Sequence, residues 1–439
     1  MIAALALLLT LASAPPLGAS EASPVVSLTL KEAVERARSV SPRLARLGSL
    51  EEAAHQALRG ARAGRLPQVA LGGGYARFSN VPPLVLTLPG APPTTIFPNI
   101  PDNYRAHAGL TLPLFTSGRL ESAIVATREE EARAHSDKDA GLGDLALETS
   151  TAYWRLVEAR ESARVFADAL VAFDAHFKDA RAREDVGMAA RNEVLLVQVE
   201  RERADLERLQ AERAAEVAEA DLRRLLELPS SARIECADPL KTGPQGAEDA
   251  EALTNRALEA RPEVSSLRSE VRFLEASARV NRAATLPQAS LDAAYDYANP
   301  NARILPPSPE WKGSWSVGLS LSATPFDGGR AAAAAAQARA QADALRHEVD
   351  EIQDRIRLEV VTRLLDVSTA QASIEVAERS VEAARENLRV SRERYREGVI
   401  ASSDLLDAEN ALLRANLDAT TALTDLRVAS AGLDRAVGR

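Results

Sequence analysis

Two hydrophobic periods run along this chain. From Trp311 to Thr324 apolar and polar positions alternate strictly, with Trp311, Gly313, Trp315, Val317, Leu319 and Leu321 on one face and Lys312, Ser314, Ser316, Gly318, Ser320 and Ser322 on the other. That period of two predicts a strand over about 311–324. Leu110, Leu112 and Leu114 alternate with His107, Gly109 and Thr111 in a strand over about 104–115. Ala289, Leu291, Tyr295 and Tyr297 alternate with Gln288, Ser290, Asp292 and Asp296 over about 286–298, and Val69, Leu71 and Tyr75 share one face over about 66–78.

Elsewhere the period lengthens to that of a helix, predicting long helices over about 118–186, 190–227, 329–397 and 403–437. No proline interrupts Leu114–Leu228 or Arg330–Arg439, so a helix from Arg330 to Tyr395 would be roughly 100 Å long. Val367, Ala370, Ile374, Ala377, Val381, Ala384 and Leu388 form a heptad seam, preceded by the four-residue steps Ile352, Ile356, Val360 and Leu364, a stutter that locally straightens a supercoil. Gly187 and Gly398 stand where the long helices must stop and reverse. Ser402 or Ser403 offers an N-cap for the returning helix, with Asp404 in its first turn. From Leu405 the seam resumes through Ala408, Leu412, Ala415, Ala419, Ala422, Leu426, Ala429 and Leu433. Its alanines permit close approach but bury little area, so such helices need many neighbours.

The elements repeat. Leu66-Pro67-Gln68 falls on Leu286-Pro287-Gln288 at a separation of 220 residues, and Ser41-Pro42 on Arg261-Pro262 at the same separation. Phe115-Thr116-Ser117-Gly118-Arg119 then falls on Phe326-Asp327-Gly328-Gly329-Arg330 at 211, as do Gly187 on Gly398 and Val194-Leu195 on Leu405-Leu406. One indel in the proline-rich loop of the first copy accounts for the change. The chain is therefore read as two copies, 25–230 and 251–439, joined by a linker at 231–250. Each copy runs helix, strand, loop, strand, very long helix, turn, long helix. The fold class expected is mainly α with a small antiparallel β part.

The strand alternation fits a half-buried sheet packed on helices, and it also fits membrane strands about ten residues long with aromatics towards one end. Past residue 22 no apolar run approaches the ~20 residues of a spanning helix, so a membrane crossing would have to be a β-barrel. Four strands cannot close around a channel, but three chains contributing four each would leave no edge in lipid.

Charged residues make up 26% and aromatics 4% of the sequence, a composition suited to long helices in mutual contact. The net charge of −10 is finely interleaved, as in Arg128-Glu129-Glu130-Glu131-Ala132-Arg133, and no basic block points to nucleic acid. Cys236 is the only cysteine, which excludes an intrachain disulfide and a cysteine-based metal cluster. His55, His107, His135, His176 and His347 are scattered, without helical spacing, and read as satisfied or exposed. No metal or cofactor site is predicted. Gly72-Gly73-Gly74 lies in a strand and lacks the lysine of a phosphate loop, and no catalytic constellation emerges, so the chain is not read as an enzyme. Residues 2–12 form an uncharged apolar run followed by small residues, with possible cleavage after Ala14, Ala19 or Ala22, which predicts an export signal over about 1–19.

In its Leu-Pro-Gln strand entries, its Phe-x-x-Gly-Arg helix starts and its Gly398–Asp407 turn, all in duplicated order, the chain resembles the TolC-like outer-membrane efflux family over almost its whole length. The resemblance implies a homotrimer whose twelve-stranded barrel, set in outer-membrane lipid, continues into a periplasmic α-barrel. The inner end of that α-barrel would meet a periplasmic adaptor and an inner-membrane transporter, making the chain a passive exit duct for efflux or type I secretion. It further implies a channel aperture at Asp404 and Asp407, six and nine residues after Gly398, with Tyr395 helping to hold it shut. The family's arginine two residues after the glycine is Ile400 here, and Asn192 and Glu193 occupy the partner positions on the first-copy turn. Any latch must therefore be built from other residues. The alternative is a soluble periplasmic coiled-coil adaptor or scaffold, which would share the helices but not need four alternating strands.

Overall fold

The computed structural model describes residues 25–90, 92–241 and 249–439. The expected export signal lies outside these residues, as does part of the expected linker.

The helices come in pairs of equal length. In the first half they are α1 (Leu30–Val40, 11 residues), α2 (Pro42–Ala63, 22), α3 (Arg119–Asp185, 67) and α4 (Arg191–Leu225, 35). In the second they are α5 (Ala250–Ala260, 11), α6 (Pro262–Ala283, 22), α7 (Arg330–Arg396, 67) and α8 (Ser402–Ala436, 35). Where one opening helix per copy was expected there are two, split at Pro42 and Pro262. A proline disfavours helical backbone in the residue before it but is preorganised for the first helical position. Ser41 and Arg261 are accordingly extended, at ψ 120° and 123°.

Among the described residues eight strands accompany them: β1 (Val25–Leu28), β2 (Gln68–Arg77), β3 (Leu84–Leu86), β4 (Thr94–Phe97), β5 (Asp102–Phe115), β6 (Arg233–Cys236), β7 (Gln288–Asn299) and β8 (Lys312–Ser322). β2, β5, β7 and β8 form one antiparallel sheet in that order. β3 and β4 pair as a small hairpin within the proline-rich connection, and β1 pairs in parallel with β6 inside the segment read as a linker. Strands of three or four residues are too short to show a period.

The described residues divide into two compact units, one of residues 25–41, 148–241 and 369–428, the other of 42–147, 249–368 and 429–439. In the first, Phe173, Val194, Val197, Leu406 and Leu413 form one buried cluster, and Leu388, Tyr395, Leu405 and Ala408 another. Tyr153 is fully buried there and donates its hydroxyl to the Leu28 carbonyl at 3.1 Å. In the second unit Leu253, Ala257, Val264, Ile356, Val360, Ala436 and Val437 pack together. The stutter residues Ile356 and Val360 thus lie in a core, whereas Leu358 and Leu365 on another stripe of α7 are about two-thirds exposed.

Beside that core Glu263 is gripped by Arg435 at 2.5 Å and Arg261 at 3.0 Å, and the two arginines pair onward with Asp144 and Glu359. Burial raises the Glu263 carboxyl, but hydrogen bonds from Arg261 and Arg435 outweigh it and hold the group at about 2. A depressed carboxyl stabilises the fold above its unfolded value near ~4.3, and the contribution disappears as pH falls towards 2. Glu263→Gln is therefore expected to lose ~2–3 kcal/mol at neutral pH and to converge with the wild type in strong acid, which denaturant unfolding of the detergent-solubilised protein at several pH values will measure.

Candidate functional site

Two places carry unusual chemistry: the sheet, and the turn end of the helical hairpins. Cross-strand partners share a face in an antiparallel sheet, and the register builds whole rows of one character. Leu71, Ala108, Tyr295 and Trp315 make one row, Val69, Leu110, Ala293 and Val317 the next, and Leu112, Leu291 and Leu319 a third. This apolar face is uncovered: Leu71 is 81%, Trp315 73% and Leu321 74% exposed. Towards one end it is bounded by aromatics, with Tyr75 and Tyr104 ring centres 5.0 Å apart and Tyr297 stacked on Trp311 at 5.0 Å.

The opposite face carries rows such as Gly72, His107, Asp296 and Ser314. Asp296 accepts from Arg105 Nε at 2.7 Å and lies 2.9 Å from His107 Nδ1, while Asp292 accepts from the hydroxyls of Thr111, Ser290 and Ser320. Both carboxylates are thus held within the sheet. The triple glycine is regular strand opposite Arg105, Ala106 and His107.

At the turns, Gly187 and Gly398 adopt φ of +76° and +74°. Around Gly187 the Met188 and Gly187 amides donate to the Arg183 and Glu184 carbonyls, and around Gly398 the Val399 and Gly398 amides donate to those of Arg394 and Tyr395. This double bond pattern closes a helix through a left-handed residue, so both hairpin turns are built alike.

Ser402 does not cap α8. It is the first helical residue, and Asp404 reaches back to accept the Ala401 amide at 3.3 Å. The Ser402 hydroxyl points inward, 2.9 Å from His176 Nε2 on α3, while His176 Nδ1 lies 2.9 Å from Glu409 Oε2. All three residues are buried. Glu409 also lies 3.7 Å from Arg392.

The His176 ring meets Tyr395 edge-on at 5.2 Å, and the Arg183 guanidinium sits over the Tyr395 ring, 4.3 Å from its centre. Burial pushes the Tyr395 phenol up, and its oxygen is enclosed without a hydrogen-bond partner among the described residues. Ile400, where an arginine was expected, packs against the Leu388, Tyr395, Leu405 and Ala408 cluster. Asp404, Asp407 and Asn192 are exposed and Glu193 is half-buried. Among the described residues the Asp407 and Asn192 side chains have no polar partner.

The model of the family described as outer membrane efflux protein matches residues 33–227 and 253–439. The chain belongs to the outer membrane efflux protein family. No curated protein sequence matches it. Among solved structures it is similar to a membrane protein from Pseudomonas aeruginosa, with 21% identity, a TM-score of 0.76, and coverage of 96% of this chain and 99% of that one. It is likewise similar to the outer membrane protein VceC of Vibrio cholerae, with 18% identity, TM-score 0.76, and 93% and 96% coverage. Against the MtrE outer membrane channel of Neisseria gonorrhoeae, in its open state, the values are 20%, 0.77, 93% and 88%. At such identities these likenesses establish the fold: mainly helical with a small antiparallel sheet. Family membership sets aside the adaptor reading. Among the described residues no helix is long and apolar enough to cross a membrane.

His176 and Glu409 escaped the sequence reading because 233 positions separate them. No local spacing marks such a pair.

Proposed function

We propose that three copies of this outer membrane efflux protein close a twelve-stranded transmembrane barrel and continue it as a periplasmic α-barrel. The assembly forms the exit duct of a tripartite efflux or type I secretion system. The observation that carries this is the sheet, which has one greasy uncovered face and two unpaired edges, β2 and β8. In lipid each open backbone group costs several kcal/mol, so the sheet must close. Its strands alternate in direction and are even in number, so β8 of one copy can pair antiparallel with β2 of the next without a break in pattern. The polar face, with its satisfied carboxylates, then lines a wet lumen.

The tip turns at Gly187 and Gly398 form the inner end, where a periplasmic adaptor and an inner-membrane transporter engage. Three pairs of Asp404 and Asp407 ring the aperture, favouring cations, with Tyr395 packed behind them and Asn192 and Glu193 on the neighbouring turn. Energy comes from the transporter, and the duct conducts passively. The test is the detergent-purified protein: a trimer by light scattering that forms stable pores in planar bilayers supports the reading. A soluble monomer overturns it.

A further inference from the structure

We infer that His176 is the positioning residue of the aperture, holding the aspartate-bearing end of α8 in place through a two-point clamp. The inference rests on the channel reading only for what the aspartates do; the clamp itself stands on geometry.

Ser402 and Glu409 are seven residues apart on α8, hence two turns apart on one face. His176 spans both, one nitrogen to each, from a fully enclosed position. Between the two clamped residues, on the outward side, lie Asp404 and Asp407. Fixing the first and eighth residues of the helix fixes the direction in which these carboxylates point. A carboxylate can only accept, so Nδ1 carries a proton towards Glu409 and Nε2 is left to accept the Ser402 hydroxyl.

The surrounding ionisable groups are few. Glu409 and Tyr395 touch the imidazole directly. Arg392 reaches it through Glu409, and Arg183 through Tyr395. Asp179 pairs with Arg183 at 3.3 Å, and Glu193 adds its field at Tyr395. The clamp joins α3 of the first repeat to α8 of the second, so it ties the two hairpins to each other beside the Arg183–Tyr395 contact between α3 and α7.

The experiment compares wild type, His176→Gln and His176→Phe as full-length trimers in planar bilayers at neutral pH. Hexamminecobalt block reports the aspartates. Gln keeps one donor and one acceptor and so can rescue both contacts; Phe keeps the volume and no polar link.

His176→Phe should conduct about threefold more than wild type with weakened cobalt block, and His176→Gln should stay close to wild type in both. Asp404→Asn/Asp407→Asn sets the level of block that remains without the aspartates.

Amide hydrogen exchange of residues 403–410, normalised to intrinsic rates, provides a readout independent of pores, with His176→Phe expected to lose protection by about tenfold. Unchanged cobalt block or unchanged exchange in His176→Phe overturns the clamp. If no variant forms pores, the channel reading fails and exchange alone decides the inference.

Discussion

Val317→Arg will remove the protein from the outer-membrane fraction, whereas Ser316→Arg, one residue away, will leave it there. Val317 lies midway along β8 in the apolar row with Val69, Leu110 and Ala293, and is largely exposed. Its neighbour Ser316 pairs with Ala294 on the polar face. An arginine at the lipid midplane of a barrel costs ~2–4 kcal/mol, so three copies lose roughly 6–12 kcal/mol, comparable to the whole stability of a typical domain. The same charge at Ser316 enters water and costs little. Inserted Val317→Arg should fall at least about tenfold by fractionation and heat-modifiable gel migration. Ser316→Arg should insert normally and shift ion preference towards anions. Equal insertion of both variants would refute the assignment of faces.

Asp404→Asn/Asp407→Asn will abolish block by multivalent cations. Asparagine is the informative substitution because Asp404 also accepts the Ala401 amide. Its side-chain oxygen preserves that N-terminal bond, whereas alanine would forfeit about 1 kcal/mol of helix start as well. At ~5 Å in water each carboxylate contributes roughly 1 kcal/mol per unit of cation charge before screening. Six carboxylates in one ring should therefore hold a trivalent ion at least about a hundredfold more tightly than the amide variant. The measurement is the concentration of hexamminecobalt that halves single-channel current, taken at low salt. Unchanged block with intact pores would leave the two aspartates as helix-start residues and nothing more.

Most of the fold was legible because it is written in local periods. Alternation between Trp311 and Thr324 needs only neighbouring residues to be read, and β8 spans Lys312–Ser322. Glycine at 187 and 398 needs only the knowledge that a left-handed residue ends a helix, and both have positive φ. Even the faces of the sheet follow from alternation alone. The register that aligns them into rows does not, since it is fixed by hydrogen bonds between strands up to about 190 residues apart, such as Arg105 opposite Ala298.

The turn end of the hairpins divides in the same way. Asp404, Asp407 and Tyr395 are what the family resemblance implies for an aperture, from their places around the turn glycine Gly398. Ser402, like Ser403, offers itself as a cap because a serine at a helix start usually is one. Packing against α3 decided otherwise by offering its hydroxyl an imidazole in a place closed to water, where an unmet polar group is costly.

By itself, then, the sequence determined the strands, the long helices, their turns and the duplicated order, all set by the steric and hydrophobic preferences of residues close in the chain. Only the tertiary structure decided the short β1–β6 pair, the Glu263 network and the contacts of His176 with Ser402 and Glu409. Each of these joins groups far apart in sequence whose energy depends on burial and distance, quantities that exist only once the chain has folded.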